Sequence, residues 1–497
     1  MTAPSISLPQ QMLRRRPVIG APVAHGAADH LHRTIGTLQL TMFGVGATVG
    51  TGIFFVLSQS VPESGPAVVV SFIIAGIAAG LAAICYAELA SAVPVSGSTY
   101  SYAYTTLGEF VAVGVAACLL LEYGVSIAAV AVGWSGYLNK LLDNLFGVSI
   151  PHSLSAAPWD SDPGWINLPA VVLIVMCTLL LIRGASESAA VNTIMVVIKL
   201  GVLAMFALIA FTAFDADRFA DFAPFGVAGI GAAAGSIFFS YIGLDAVSTA
   251  GDEVKDPQRT MPKAIIAALI IVTSVYVLVA VAALGTQPWQ EFENQEEAGL
   301  ATILDNVTGS TWASTILAAG AVISIFSVTL VVMYGQTRIL FAMGRDGLLP
   351  AVFAKVNPRT MTPVFNTILV AVVVSILAGF VPLDKLANMV SIGTLVAFVI
   401  VSIGVILLRV REPDLPRGFR VPLYPVTPVL SVLACGYILY KLPQSTWIPF
   451  SVWVAVALGY YLVWARHHSA LNDGGDGLIP TAAPAEDEVL IPPKESL

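Results

Sequence analysis

Apolar residues come in long, nearly unbroken stretches along this chain, and short polar stretches separate them. A membrane-spanning helix needs about 20 mostly apolar residues, because hydrocarbon offers no partner to an unsatisfied backbone group. The pattern therefore predicts an all-α polytopic membrane protein with 12 transmembrane helices. Their approximate positions are 36–58, 66–93, 106–138, 165–184, 188–213, 229–250, 261–285, 310–343, 364–381, 386–408, 424–443 and 447–466.

Two of these stretches, the first and the sixth, contain residues that interrupt a helix. The first holds GVGATVGTGIF at positions 44–54, and each glycine costs about 1 kcal/mol against alanine in a helix interior. Close packing of helices through small residues would also explain these glycines. The sixth holds Gly243 and Asp245 within FFSYIGLDAVSTAGDE, and a carboxylate at membrane depth normally faces a cavity or a polar partner.

The two interrupted stretches are five spans apart, which indicates a pair of five-helix repeats. An odd number of spans inverts the second repeat relative to the first. Interrupted helices at corresponding places in such repeats form a substrate site near the membrane midplane. We therefore predict a first repeat over 34–213, an inverted second repeat over 214–408, and two further helices over 409–468.

Composition and charge agree with this class and predict the orientation. Hydrophobic residues make up 57% of the chain and charged residues 11%. With both ends in the cytosol, 18 Lys and Arg residues lie on the cytosolic side and 4 on the outer side, a strong positive-inside bias. We expect a multi-pass plasma-membrane protein in which segment 1–33 is a cytosolic arm and segment 469–497 a disordered acidic cytosolic tail. The net charge of −8 comes largely from the tail and one acidic loop and indicates no nucleic-acid partner.

Five stretches of the chain carry a family resemblance. They are GVGATVGTGIF, YAELASAVPVSGSTYSYAYTTLGE (86–109), EYGVSIAAVAVGWSGYL (122–138), FFSYIGLDAVSTAGDEVKDPQRTMP (238–262) and YGQTRILFAMGRDGLLP (334–350). From about residue 34 to about residue 466, the chain resembles the amino acid/polyamine/organocation superfamily, and most of all its cationic amino acid transporter branch. The resemblance implies a leucine-transporter-type fold, a 5+5 inverted repeat plus two C-terminal helices. It also implies secondary transport of L-α-amino acids by alternating access, with no cofactor.

The resemblance further implies a substrate site made mainly of backbone groups at the two helix breaks. An α-amino acid always presents a carboxylate and an ammonium, and an unwound helix offers amide donors to one and carbonyl acceptors to the other. The carboxylate is expected at Gly50, Thr51 and Gly52, and the ammonium near the carbonyl groups of Thr48, Phe239 and Ile242.

Lys199 stands alone in the apolar sequence NTIMVVIKLGVLAMFALIAF of the fifth span. A lysine near a helix end can extend to the membrane interface, but Lys199 is about 11 residues from one end of its span and 14 from the other. A lysine held away from water can exchange protons near neutral pH. In the proton-coupled part of the family that the chain resembles, a lysine at this place replaces a sodium ion as the brace between helices. We therefore expect Lys199 to couple protons without Na⁺, contacting carbonyls near Gly46 and a hydroxyl of Ser324 or Ser327.

Three acidic residues are further candidates. Glu122, in the third span, either lines the pathway as a functional acid or is a structural hydrogen-bonding partner. Asp245 is expected to accept amides released at the break in the sixth span, and Glu88 to help a gate or to pair with a basic residue. No metal site is expected, because the 4 cysteines lack ligand spacing and the 6 histidines lie outside the predicted spans.

These features predict a carrier that works by proton-coupled symport. An enzyme would need a nucleophile with a base, or a metal cluster, and an ATP-driven pump would need the motif GxxxxGK[ST]; the sequence offers none of these. Amino acid exchange is the alternative mechanism, and a non-transporting amino acid receptor is a further alternative. The substrate stays open between small neutral and cationic amino acids.

Overall fold

The computed structural model describes residues 11–15, 35–92, 98–160, 162–184, 189–244, 246–249, 254–295, 298–357, 360 and 362–472. Within these ranges the chain is all-helical, and its one β contact is an isolated bridge between Ile35 and Val254. The all-α prediction is confirmed for this part of the chain. Most of the predicted arm and tail, together with Asp245, lies outside the described residues.

The helices of the first half follow the first five predicted spans. In chain order they are α1 (Thr37–Thr48), α2 (Thr51–Ser64), α3 (Val68–Ala92), α4 (Ser98–Thr106), α5 (Glu109–Phe146), α6 (Leu168–Ile182) and α7 (Ala189–Ala210). The first apolar stretch is split between α1 and α2, as its glycines predict.

The helices of the second half follow the remaining spans. In chain order they are α8 (Gly226–Phe238), α9 (Ala246–Thr249), α10 (Pro257–Thr286), α11 (Gly299–Thr308), α12 (Trp312–Arg345), α13 (Val364–Phe380), α14 (Leu383–Arg411), α15 (Val426–Lys441) and α16 (Gln444–Tyr460). The sixth stretch is also split, because a 3₁₀ turn at Phe239–Tyr241 ends α8 and the short α9 starts at Ala246.

Several helix bounds differ from the sequence prediction. The predicted third span covers 106–138, whereas α5 runs from Glu109 to Phe146, because its last turns continue with a mixture of apolar and polar residues. It ends at Gly147, whose left-handed conformation closes the helix with a bond from its N–H to the Asp143 carbonyl. Helices α4 and α11 lie in segments predicted as loops, since neither is apolar enough to resemble a membrane span.

Membrane-length helices recur along the described chain. Seven helical segments there are long and apolar enough to cross a membrane, and four further apolar helices have 10–17 residues. One of the seven segments, Gly52–Ala92, includes α2 and α3 together. These lengths agree with a polytopic membrane protein.

Helix packing pairs the two halves of the chain. Helix α2 packs against α8, α3 against α10, α5 against α12 and α6 against α13. Each pair joins helices that are five predicted spans apart. Helix α7 lies beside α1, α10 and α12, and α14 lies beside α3, α5 and α15. The two broken helices are therefore adjacent, with α5 and α12 close to them.

Candidate substrate site

The first break exposes the ends of two helices. Helix α1 ends at Thr48 and α2 begins at Thr51, with Gly50 in a non-helical conformation (φ −114°, ψ −148°). The first amides of a helix have no acceptor inside it, and they carry the positive end of the helix dipole. The start of α2 can therefore bind an anionic group, and the end of α1 offers carbonyl groups to a cation.

The second break lies directly against the first. After the 3₁₀ turn, Ile242 is extended (ψ 146°) and Gly243 has a φ of +97°. A Cβ at Gly243 would lie 2.6 Å from the Ala47 carbonyl oxygen, and a Cβ at Gly52 would lie 2.7 Å from the Ser240 Cα. Both contacts are too short for any side chain, so these two glycines allow the breaks to touch.

Tyr276, on α10, holds the two breaks together. Its hydroxyl lies 2.9 Å from the Thr48 carbonyl oxygen and 2.8 Å from the Ser240 carbonyl oxygen, and the side chain is fully buried. The sequence analysis missed this residue. A buried tyrosine hydroxyl requires a hydrogen-bond partner, and this requirement is the only signal in the sequence that could have identified it.

A buried cavity lies where the two breaks meet α5 and α12. Four residues of the predicted substrate site line it, namely Gly50, Gly52, Phe239 and Ile242. Residues not predicted for the site complete the wall, and they are Ala47, Tyr123, Ser126, Val130, Gly243, Val328 and Val332. Glu122 also lines the cavity and is 1% exposed. The cavity volume is about 20 Å³, which is room for one water molecule.

Two other residues of the predicted substrate site, Thr48 and Thr51, lie at the two helix ends of the first break. Thr48 does not line the cavity: its hydroxyl donates to the Gly44 carbonyl (2.8 Å), and its own carbonyl accepts from Tyr276. The threonine side chain therefore adds no polar group to the cavity wall. Thr51 contributes the first residue of α2, and the structure describes its backbone only.

Lys199 reaches the first break from α7. Its Nζ donates to the Gly46 carbonyl at 2.9 Å and to the Val49 carbonyl at 3.0 Å, and the residue is 0% exposed. The side chain thus extends into the protein and not to a membrane interface. The contact to Gly46 is the one that the sequence analysis expected, and the contact to Val49 is additional.

The serines expected near Lys199 lie on α12. Ser324 and Ser327 are each 1% exposed. The Oγ of Ser324 has no hydrogen-bond partner, so this hydroxyl does not bind Lys199. Of the two predicted hydroxyl contacts, only Ser327 stays a candidate.

Glu88 belongs to a different site, at the end of α3. It is 1% exposed and accepts from Arg409 Nε at 2.8 Å and from the Val421 amide at 2.6 Å, while Arg417 Nε lies 3.4 Å away. Glu88 was expected either to help a gate or to pair with a basic residue, and these contacts show the pairing. The cluster joins α3, α14 and the loop that follows α14.

The fold and this site together define a class of protein. An all-helical, strongly apolar chain with a buried cavity between two interrupted helices has the architecture of a polytopic membrane permease. The chain belongs to the amino acid permease family, whose model matches residues 35–463.

Relatives with curated functions agree with this assignment. The chain is 40% identical to the methylthioribose transporter of Bacillus subtilis (strain 168), over 90% of this chain and 97% of the relative. It is also 40% identical to the branched-chain amino acid permease BcaP of the same organism, over 93% and 99% of the two chains. The vacuolar cationic amino acid transporter 4 of Arabidopsis thaliana is 36% identical, over 81% and 68%. The resemblance drawn from the sequence is confirmed, and the family comprises transporters, not enzymes.

Proposed function

We propose that this permease is a secondary active transporter that carries L-α-amino acids across the cell membrane together with protons. The observation that carries the proposal is the position of Lys199, whose Nζ bonds to the Gly46 and Val49 carbonyls beside the candidate substrate site. We further propose 12 spans in a 5+5 inverted repeat plus two helices, with both chain ends in the cytosol.

Backbone groups at the breaks support amino acid binding. The first amides of α2 suit a carboxylate, because several N–H donors and the helix dipole act on the same anion. The Gly50 amide donates to the Thr48 carbonyl at 2.8 Å in this conformation, so a carboxylate would have to displace that bond to use it. Carbonyl groups around Phe239 and Ile242 suit the ammonium. Every α-amino acid carries both groups, so this arrangement recognises the class without a dedicated side chain.

The tight cavity supports alternating access. Its volume of about 20 Å³ is far below that of any amino acid. The helices around the cavity must therefore move apart to admit a substrate and close behind it. In a two-sided cycle, the bundle containing the breaks moves relative to α5 and α12, first toward one membrane face and then toward the other.

The protonation state of Lys199 provides a physical basis for coupling proton movement to substrate transport. As an ammonium, Nζ makes charge-assisted hydrogen bonds to carbonyls at the end of α1, where the helix dipole is negative. Release of one proton leaves a neutral amine, which binds these carbonyls more weakly. Helix α1 is then held less firmly against α7, so proton release and helix movement favour each other. An ammonium in this place also fills the role of a sodium ion, so Na⁺ is not required.

The cavity wall favours neutral aliphatic substrates. Val130, Ile242, Val328 and Val332 give it an apolar surface, which suits the side chain of leucine, valine or alanine. The relative named as a branched-chain amino acid permease supports the same class. Glu122 is the one acid among the described residues of the wall, and it makes arginine and lysine the competing substrates.

Uptake by liposomes that contain the purified protein tests this function. We expect labelled leucine to accumulate under an inward proton gradient without Na⁺, and accumulation to fall at least tenfold in Lys199→Ala. Lys263→Ala is the matched control, because Lys263 is exposed at the start of α10, and it should transport normally.

Three results would contradict the proposal. Uptake that needs amino acid inside the liposome and ignores the gradient would establish exchange. Binding of leucine without uptake would establish a receptor. Accumulation of methylthioribose, with no competition by leucine or arginine, would establish a different substrate class.

A further inference from the structure

A second cavity lies away from the candidate substrate site, between the segments that follow α7 and α10. Its volume is about 380 Å³, and none of its lining residues belongs to the central cavity. Three segments form it: residues 213–218 after α7, residues 286–291 at and after the end of α10, and helix α11. Each proposed span crosses the membrane once, so the cavity lies on the membrane face opposite Arg14 and Glu109. This is the outer face in the proposed orientation.

The floor of this outer cavity holds two buried donors without partners. Gln287 is 5% exposed, and its Oε1 accepts from Gln295 Nε2 at 3.1 Å. The amide oxygen of Gln287 is the acceptor in this bond, so its Nε2 group points away from Gln295, and Nε2 has no hydrogen-bond partner. The Nε of Arg218 is also buried without a hydrogen-bond partner. A buried donor left unsatisfied costs roughly 1–3 kcal/mol.

The loops that carry these donors are held in place. The Asp215 amide, beside the 3₁₀ turn Ala216–Phe219, donates to the Gly285 carbonyl at 2.9 Å. A Cβ at Gly285 would lie 2.0 Å from the Phe214 ring, so the turn packs directly on the end of α10. The two donors therefore lie on firmly connected segments and do not depend on a loose loop.

The residues that line the outer cavity indicate which kind of ligand it can bind. A guanidinium and an amide N–H₂ together suit a carboxylate, which accepts strong charge-assisted bonds. Glu291 and Asn306 lie at the exposed rim and offer oxygen acceptors to a cation, while Ile303 and Val307 form an apolar wall. A carboxylate, an ammonium and a short apolar side chain are the three groups of a small α-amino acid.

We propose that the outer cavity is a second amino acid site, in which Arg218 and Gln287 bind the carboxylate and Glu291 binds the ammonium. The volume is in the range of small-molecule sites. The choice of an amino acid as ligand rests on the proposed function, whereas the carboxylate chemistry rests on the donors alone. Such a site holds substrate at the face from which it enters.

Equilibrium binding to the full chain in lipid nanodiscs tests this site. Binding of labelled L-leucine, L-alanine and L-arginine is measured separately for the wild type, for Arg218→Gln and for Arg183→Gln. Arg183→Gln is the control, because Arg183 is exposed in the loop after α6. We expect the wild type and the control to bind one more ligand per chain than Arg218→Gln, for at least one of the three. Unlabelled acetate should displace only that additional ligand.

A second variant separates loss of the site from loss of the fold. Val307→Trp fills the cavity from its half-buried wall and leaves both donors unchanged. We expect it to lose the same ligand while it keeps the melting temperature of the wild type. Equal stoichiometry in the wild type, Arg218→Gln and Val307→Trp for all three amino acids would overturn the proposal. If the central site binds no amino acid, one ligand lost in both variants still supports the outer site, so the two proposals fail separately.

Discussion

At the scale of single residues, one buried cation and the carbonyls that accept its hydrogen bonds join α7 to the first break. A regular helix uses its carbonyl groups internally, so it offers none to a buried lysine. The break after α1 frees the carbonyls of Gly46 and Val49, and Lys199 binds both. The glycines and the lysine were conspicuous in the sequence for separate reasons, and the structure places them in contact.

Removal of the Tyr276 hydroxyl should weaken the link between the two breaks. Tyr276→Phe leaves the Thr48 and Ser240 carbonyls without this donor, at a cost of roughly 1–3 kcal/mol. We expect the rate of leucine uptake to fall about tenfold in liposomes, which corresponds to about 1.4 kcal/mol. Tyr440→Phe is the control, because Tyr440 is 80% exposed. Equal uptake rates in both variants would show that the hydroxyl has no role in transport.

An alanine at Gly243 should separate the two breaks. The residue has a φ of +97°, and a Cβ would lie 2.6 Å from the Ala47 carbonyl oxygen. The strained backbone alone costs about 1–3 kcal/mol, and the clash adds to it. We expect Gly243→Ala to abolish leucine uptake and lower the melting temperature. Gly201→Ala, with open space around the new methyl group, should retain both, and normal uptake by Gly243→Ala would contradict this account of the breaks.

At the scale of helices, the sequence predicted the two interruptions better than the helix ends. Clustered glycines and an acid within apolar stretches are local signals, and both stretches are split in the structure. Helix α4 and the last turns of α5 gave no such signal, because their sequences mix apolar and polar residues. The identity of the basic partner of Glu88 was also beyond the sequence, because Glu88 and Arg409 are 321 positions apart in the chain.

Loss of the Glu88 carboxylate should destabilise the packing of α3 against α14. Glu88→Gln leaves Arg409 and Arg417 without their buried anion, and breaking such a pair from one side costs roughly 3 kcal/mol. We expect a lower melting temperature for the purified protein. Asp256→Asn is the control, because its pair with Arg259 is exposed on both sides (61% and 80%) and contributes little. Equal melting temperatures would contradict a structural role for the Glu88 cluster.

At the scale of the whole molecule, helices from the two halves of the chain pack against each other in pairs. The pairing of α2 with α8, α3 with α10, α5 with α12 and α6 with α13 supports the inverted repeat that we propose from the spacing of the breaks. Contacts of the N-terminal segment were not predictable, because a short polar arm carries no periodic pattern. Arg14 lies 3.1 Å from Glu109 at the start of α5 and also contacts the Arg466 carbonyl, which ties the N-terminal segment to the residues that follow α16.

Proton movement during transport tests the central claim most directly. Liposomes that contain the protein and an internal pH indicator receive leucine from outside, without Na⁺ and without a pH gradient, while valinomycin and K⁺ remove any electrical potential. Proton symport predicts that the interior acidifies as leucine enters, and that Lys199→Ala abolishes the acidification. Entry of leucine into wild-type liposomes at a constant internal pH would contradict the claim that Lys199 couples the two movements.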